Sequence, residues 1–280
     1  MPPIRERLMT APRVAVTHFA GRAGDHNDRA MAASPRLARA LAEHFDVPPS
    51  VVGVPREALS TGWEIELNSA REDLSRMQEL HAAILDDGAI PVTALSRCAV
   101  ALATLPVVAA RHPDAVVVWF DAHADVHTPE TSRSGFLGGL ALSGALGWWD
   151  SGLGAGLAPW NTVLAGARDI EPAEAAMIQA SGVSVVPPGA DFAERLRGVV
   201  DGRAVYVHID CDVLDPGIVP TDYRVPDGLS LDDLHAAAAA LAESPILGLQ
   251  IGELETEHGA ENLAPLLRAL APLLDAAMRG

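Results

Sequence analysis

The chain contains no lysine, and its 20 strongly basic residues are all arginine. Without a lysine amine, Schiff-base chemistry and the lysine of a Walker-type phosphate loop are excluded. Aromatic residues make up only 4% of the sequence. The two cysteines, Cys98 and Cys211, are too few for the disulfide framework of a small secreted protein. No apolar run reaches the roughly 20 residues that a membrane-spanning helix needs.

Charge and composition narrow the possible partners further. The formal net charge of -17 disfavours nucleic acid and anionic membranes, because their phosphate groups would repel the chain. A metal ion or a cationic small molecule suits this charge better. The stretch Met1–Arg13 has no apolar centre, so we expect no signal peptide and a cytoplasmic location. With 280 residues, 49% of them hydrophobic, we expect one α/β domain over residues 1–280.

Short β-branched runs alternate with amphipathic helical patterns along the whole sequence. This alternation is typical of a parallel sheet covered by helices on both faces. Ser34-Pro35 is predicted to begin a helix, Gly88 to follow the end of another, and Ser230 to cap a third. The predicted strands are Arg13–Phe19, Ser50–Val54, Ala89–Ala94, Ala115–Phe120, Thr162–Ala167, Val183–Val186, Ala204–Ile209 and Ile246–Ile251.

Ligands of open α/β sheets bind outside the carboxyl ends of the strands, so residues that follow predicted strands are the functional candidates. Asp121, His123 and Asp125 follow the strand Ala115–Phe120. Their alternate spacing sends all three to one side of an extended chain. Carboxylates with one imidazole suit a divalent ion such as Mn or Zn. The alternative is a strand end whose acids are simply solvated.

Other candidates follow three further predicted strands. Asp210 and Asp212 form a second acidic pair, whose charges would repel each other at the mouth of an apolar sheet unless a cation neutralised them. This second pair favours the metal interpretation. Cys98 is either a metal-bound thiolate or a small buried apolar residue, and the sequence alone favours the latter. Glu253 is either a solvated acid or the partner of a cationic substrate.

Four motifs of the sequence have a recognisable counterpart. They are Asp121-Ala122-His123-Ala124-Asp125 with Thr128-Pro129, Asp210-Cys211-Asp212-Val213-Leu214-Asp215-Pro216, Val225-Pro226-Asp227-Gly228-Leu229, and Gly166-Ala167-Arg168-Asp169-Ile170-Glu171. Together these motifs resemble the ureohydrolase superfamily of arginases and agmatinases over most of the chain. The resemblance implies a three-layer α/β/α sandwich with a parallel sheet of about eight strands. It also implies hydrolysis of a guanidino carbon–nitrogen bond.

The resemblance further implies a centre of two Mn ions. In this centre Asp121 and Asp210 bridge both ions. His123 and Asp212 complete the coordination of one ion, and Asp125 is a ligand of the other. Asp125 is also implied to hold the attacking hydroxide by a hydrogen bond and to pass its proton to the leaving amine.

Cys98 and Glu253 complete the site that the resemblance implies. Cys98 stands where most of the family has a histidine ligand, and a soft thiolate matches Mn poorly. The ion at Cys98 is therefore expected to be weakly bound, or to be another divalent metal such as Zn or Co. Glu253 corresponds to the glutamate that pairs with the substrate guanidinium.

One segment departs from the family pattern. Ser134-Gly135-Phe136-Leu137-Gly138 replaces the usual Ser-Gly-Asn-x-His. Phe136 thus replaces an asparagine that binds the carboxylate of arginine, and Gly138 replaces a proton-shuttling histidine. Proton delivery is then expected to use water or His127. The residues expected to contact the substrate are His127, Ser134, Phe136, Glu171 and Glu253.

Four further segments are Thr128-Pro129-Glu130-Thr131, Leu137-Gly138-Gly139, Leu142-Ser143-Gly144 and Asp222-Tyr223-Arg224-Val225-Pro226-Asp227-Gly228. These segments are more similar to a narrower branch of the family, the N-omega-hydroxy-L-arginine amidinohydrolases of D-cycloserine biosynthesis. This similarity implies ornithine and hydroxyurea as products and a role in antibiotic biosynthesis. The alternative is an arginase- or agmatinase-type hydrolase of another guanidino compound. Homo-oligomers are common in the family.

Two alternatives of another kind stay open at the sequence level. The replacements at Cys98, Phe136 and Gly138 are also compatible with a catalytically silent relative that binds metal or ligand. A redox role for Cys98 is the second alternative. It is disfavoured because Cys211 lies between two ligands, and strand neighbours alternate faces, so its sulfur should point away from the cluster.

Overall fold

All eight strands form one parallel sheet in the computed structural model, which describes residues 14–256 and 262–279. The strand order is β2-β1-β3-β8-β7-β4-β5-β6. The predicted number of strands and their parallel arrangement are confirmed. Arg13, the predicted start of the first strand, lies outside the described residues. The strands are β1 Val14–Phe19, β2 Ser50–Val52, β3 Ile90–Ala94, β4 Val116–Phe120, β5 Thr162–Ala165, β6 Ser184–Val186, β7 Val205–Asp210 and β8 Ile246–Gly252.

Helices cover both faces of the sheet and give the predicted three layers. Side chains of β4 alternate between two hydrophobic clusters. Val118 and Phe120 pack on one side with α1, α6, α7 and α8, whereas Val117 and Trp119 pack on the other with α3 and α4. Burial on both faces explains why β4 is a continuous apolar run. The helices are α1 Arg29–Phe45, α2 Trp63–Asp86, α3 Ala101–Arg111, α4 Ala141–Ala145, α5 Pro172–Ser181, α6 Phe192–Val200, α7 Leu231–Leu241 and α8 Ala264–Arg279.

The helix boundaries agree with the sequence at two of the three predicted places. Gly88, in a left-handed conformation with a φ of 70°, follows the end of α2 at Asp86. Ser230 caps α7, and its side chain accepts a hydrogen bond from the backbone N–H of Asp233. Of the described helices, none is long and apolar enough to cross a membrane.

The prediction that Ser34-Pro35 begins a helix is wrong. Helix α1 begins at Arg29, so Pro35 lies inside it. Proline cannot donate to the carbonyl four residues earlier, which here belongs to Met31. The hydroxyl of Ser34 donates to that carbonyl instead, at 3.3 Å. This bond partly replaces the lost helical hydrogen bond and explains why the helix continues through Pro35.

Candidate metal and substrate site

Four neighbouring strands deliver the candidate ligands to the carboxyl edge of the sheet. These strands lie side by side in the order β3, β8, β7, β4. Cys98 comes shortly after β3 and Glu253 directly after β8. Asp210 ends β7, and Asp121 directly follows β4. Residues far apart in sequence therefore meet because their strands are neighbours in the sheet.

Within the described residues, three groups of side chains could each hold a metal ion. The ligand atoms of each group lie within 4.8 Å of one another. The six residues predicted as ligands are all among them, and Glu253 joins them. The groups are Cys98 with Asp210 and Glu253, Cys98 with Asp121 and Asp125, and Asp121 with His123 and Asp212.

His123 is held between two carboxylates. Its Nδ1 atom lies 3.1 Å from Asp121 Oδ1 and 3.1 Å from Asp212 Oδ2. Burial lowers the pKa of His123, but hydrogen bonds to these two acids outweigh burial and raise it to about 12. The second oxygen of Asp121 accepts a hydrogen bond of 2.9 Å from the indole N–H of Trp119. The imidazole is thus held between one acid that follows β4 and one that follows β7.

Cys98 faces the carboxylates, and Cys211 does not. The sulfur of Cys98 lies 3.1 Å from Asp210 Oδ2, and burial followed by the charge of Asp210 raises the pKa of the thiol. Cys211 packs in the hydrophobic cluster on the opposite face of the sheet, as predicted. Both cysteines are free thiols.

The chemistry of the donor set fits divalent cations. Asp125 and Asp210 are buried, and burial together with neighbouring carboxylates raises the pKa of both well above the usual value. A bound cation removes this electrostatic cost. Carboxylate oxygens and the imidazole of His123 are suitable ligands for Mn or Zn, whereas the Cys98 sulfur suits a softer ion.

Two acids of the site have an unusual backbone conformation. Asp125 and Glu253 have φ angles of 53° and 59°, in the left-handed region that residues other than glycine seldom adopt. The carbonyl of Asp125 accepts hydrogen bonds from Leu142 and Ser143 near the start of α4, and the N–H of Glu253 donates to the Ser96 carbonyl. Such strain is maintained where surrounding contacts fix the chain, and it is common at functional sites.

Glu253 is bound on both of its oxygens by the protein itself. Oε1 accepts from the backbone N–H of Cys98 at 2.8 Å, and Oε2 from Arg97 Nη1 at 2.6 Å. Arg97 is fully buried and also pairs with Asp25 at 3.1 Å and Glu255 at 2.9 Å. This network could not be predicted from the sequence. Its only signal is an arginine directly before Cys98, and its partners are up to 158 residues away.

A cavity of about 220 Å³ opens above the acids. Every residue expected to contact the substrate lines it, but to different degrees. Ser134 is exposed, and the side chain of Glu171 is 51% exposed. His127 is buried, and among the described residues its Nε2 atom has no hydrogen-bond partner. The lining also includes three residues that sequence reasoning did not single out for the pocket, namely Asp169, Glu174 and Tyr223.

The two departures at Phe136 and Gly138 are linked by packing. A Cβ atom on Gly138 would lie 2.5 Å from Cε1 of Phe136, which is closer than real side chains allow. The Phe136 ring also packs against His26, with ring centroids 4.3 Å apart, and against Tyr223 at 5.9 Å. The ring therefore occupies the space that a side chain at position 138 would need.

The family model of the arginase family matches residues 31–270, and the chain belongs to that family. It is therefore a hydrolase that acts on amidino or guanidino groups. Among proteins of similar sequence, the N(omega)-hydroxy-L-arginine amidinohydrolase of Streptomyces lavendulae is 41% identical over 261 residues, covering 92% of this chain and 96% of that protein.

Solved structures show the same fold. The arginase of Bacillus subtilis superposes with a TM-score of 0.79 at 21% identity, covering 96% of this chain and 99% of that chain. The proclavaminate amidino hydrolase of Streptomyces clavuligerus superposes with a TM-score of 0.70 at 20% identity, covering 96% and 93%. The predicted arginase-like architecture is thereby confirmed.

Proposed function

We propose that the chain hydrolyses N-omega-hydroxy-L-arginine to L-ornithine and hydroxyurea. Water adds to the guanidino carbon, and the bond from that carbon to the ornithine nitrogen breaks. The observation that carries the proposal is the 41% identity with the Streptomyces lavendulae amidinohydrolase over nearly the whole of both chains. The convergence of the predicted ligands below one cavity supports it.

The cluster would hold two divalent cations, with Mn as the first choice. Asp121 and Asp210 would be shared by both ions, as the family resemblance implies, and Asp121 belongs to two of the three ligand groups. His123 and Asp212 would complete one site. The other would use Asp125 and Cys98, where Zn or Co are alternatives to Mn. Such a pair of cations supplies activation of water at neutral pH. Loss of any of the bridging carboxylates should abolish turnover.

Glu253 would bind the guanidino group of the substrate. Arg97 and the Cys98 N–H hold its carboxylate in one direction, with the remaining lone pairs free to accept N–H groups. A hydroxylated guanidine is less basic than that of arginine, because the added oxygen withdraws electrons. It is therefore attacked more easily as a neutral group. This difference in basicity favours the hydroxylated substrate.

Proton transfer would involve Asp125 and His127. Asp125 would accept a hydrogen bond from the attacking water, take up its proton and deliver it to the leaving nitrogen. The Nε2 atom of His127 lies 3.4 Å from Glu171 Oε1 at the wall of the same cavity. It would relay a proton between the cavity and solvent, since Gly138 carries no side chain to do so.

The test is a comparison of kcat/KM for N-omega-hydroxy-L-arginine, L-arginine and agmatine with the Mn-loaded protein. We expect the hydroxylated substrate to be preferred. Asp210→Asn should abolish turnover, whereas Asp232→Asn, an exposed acid in α7, should leave it unchanged. A larger kcat/KM for L-arginine would contradict the proposed substrate. A metal-loaded protein that hydrolyses none of the three would support the catalytically silent relative instead.

Several finer expectations belong to the same proposal. A single domain over residues 1–280, a cytoplasmic location, a homo-oligomeric state and a role in antibiotic biosynthesis all remain predictions from the sequence. The small-molecule partner is the guanidino substrate itself. Metal analysis of the purified protein by mass spectrometry addresses the identity of the ions, and analytical ultracentrifugation addresses the number of subunits.

A further inference from the structure

His208 lies directly beneath the candidate metal centre and has no role in the chemistry described above. It stands on β7 two residues before Asp210, so both side chains emerge on the same side of the strand. Its Nε2 atom lies 3.0 Å from the sulfur of Cys98. Its Nδ1 atom lies 2.7 Å from the amide nitrogen of Gln250, and its ring is fully buried.

The hydrogen bonds around Gln250 have a direction. Its amide oxygen accepts from the hydroxyls of Thr104 at 2.7 Å and Tyr206 at 3.0 Å. Its amide nitrogen therefore points at His208 and can only donate. Nδ1 of His208 is then an acceptor, so the imidazole is neutral and carries its proton on Nε2. That proton points at the sulfur of Cys98.

The bond from Cys98 to Asp210 leads to the same assignment. The thiol has a single proton, which it donates to Asp210 Oδ2 at 3.1 Å. If Nε2 of His208 were also an acceptor, it would compete with Asp210 for this proton and one buried acceptor would stay unpaired. With Nε2 as a donor, every atom in the chain of bonds has a partner.

Trp119 fixes the plane of the imidazole. The two rings are stacked with centroids 3.5 Å apart and an interplanar angle of 6°. The indole N–H of the same tryptophan donates to Asp121 Oδ2 at 2.9 Å. One aromatic side chain thus positions Asp121 directly and the donor to Cys98 through stacking.

We propose that His208 is a positioning residue that donates a hydrogen bond to the sulfur of Cys98 and directs this sulfur towards Asp121, Asp125 and Asp210. The proposal rests on the proposed function only in treating Cys98 as a metal ligand. A sulfur that already accepts an N–H group has one lone pair engaged and donates less strongly to a soft ion. His208 therefore adapts a thiolate to a centre built mainly from carboxylates.

The first test is nitrogen NMR of the full chain labelled with ¹⁵N-histidine, both metal-free and loaded with Zn. We expect the His208 ring to be neutral with the proton on Nε2 in the metal-free protein and to remain so with Zn. The His208→Gln variant identifies the signals. A proton on Nδ1, or on both nitrogens, in the metal-free protein would overturn the proposal.

The second test uses alkylation of Cys98 by iodoacetamide, followed by mass spectrometry, with Cys211 as the internal reference. Iodoacetamide reacts with the thiolate, which an N–H donor stabilises. His208→Leu cannot donate, so alkylation of Cys98 should be roughly fivefold slower, because the loss of thiolate outweighs the gain in its nucleophilicity. His208→Gln offers an amide donor and should restore the parental rate. His81→Gln is the matched control, because His81 is equally buried and contacts Tyr206 at 3.4 Å but not Cys98.

A merely structural role for His208 would give a different pattern. General loosening of the fold would accelerate Cys98 and Cys211 together, since both are buried. Acceleration of both cysteines, or alkylation of Cys98 that is not slower in His208→Leu, would refute the proposal. Neither readout requires turnover, so failure of the proposed substrate and failure of this inference are distinguishable.

Discussion

Replacing Arg97 with methionine tests how the base of the site is stabilised. Methionine has a similar length but no charge, so Arg97→Met removes the bonds to Asp25, Glu253 and Glu255 together. Arg29 also contacts this group, and its Nε atom lies 2.6 Å from Glu255. In the described structure it makes no ion pair with Asp25 or Glu253, so these two buried acids lose their ionic partner.

The expected loss of stability is large. Removing one partner of a buried ion pair costs about 3–5 kcal/mol, because the remaining charge stays buried without compensation. This is a substantial part of the roughly 5–15 kcal/mol by which a domain is stable. Burial raises the pKa of Asp25 to about 6, although Arg97 lowers it. Without Arg97 this pKa rises further, and protonation relieves the buried charge. The stability difference between the parent and Arg97→Met should therefore be largest above pH 6 and shrink as the pH falls towards 5.

Urea unfolding of Arg97→Met and the parent chain at pH 8 and pH 5 measures both effects. Arg76→Met is the matched control, because Arg76 forms its ion pair with Glu72 at the surface, where such pairs contribute little. If the free energy of unfolding of Arg97→Met at pH 8 were less than about 1 kcal/mol below that of the parent, the expected loss would be refuted. A stability difference that grows as the pH falls would refute the expected pH dependence.

Three further predictions concern stability. Burial lowers the pKa of His18 to about 4 from 6.5. Between pH 7 and pH 4, the free energy of unfolding measured in urea should fall by about 3 kcal/mol more in the parent than in His18→Gln, because the unfolded chain takes up the proton more readily. Equal decreases in the two proteins would contradict this. Gly198→Ala, exposed in α6 with open space around its Cβ, should raise stability by about 0.5–1 kcal/mol, and a lower melting temperature would contradict it. Gly138→His alone should destabilise the chain by about 1–3 kcal/mol, because its side chain would clash with the Phe136 ring. Combined with Phe136→Asn it should cost much less, and additive effects of the two substitutions would contradict the clash.

The sequence predicts the sheet well because its signals are local. Burial on both faces leaves continuous apolar runs such as Val116–Phe120, and acids follow these runs where a parallel sheet places its ligands. Asp121 and Asp210 could therefore be assigned to one site from their positions alone. The limits of the sequence appear at Pro35, where a proline normally marks the first turn of a helix. A hydroxyl bond from Ser34 lets α1 continue.

The supports beneath the site could not be predicted, because each depends on contacts between distant segments. Arg97 meets Glu255 across 158 residues, and His208 meets Cys98 across 110. In the sequence, His208 is one more residue of a buried strand. The link between Phe136 and Gly138 is likewise visible only when the ring is placed in three dimensions, although the two positions are close in the chain.

The most direct test of the proposed activity is competition in one reaction mixture. The Mn-loaded protein is given equal concentrations of N-omega-hydroxy-L-arginine and L-arginine, and hydroxyurea and urea are quantified together by mass spectrometry at early times. The two substrates share the same enzyme and metal, so the product ratio equals the ratio of their kcat/KM values multiplied by that of their concentrations. We predict that hydroxyurea exceeds urea. An excess of urea would contradict the proposed function.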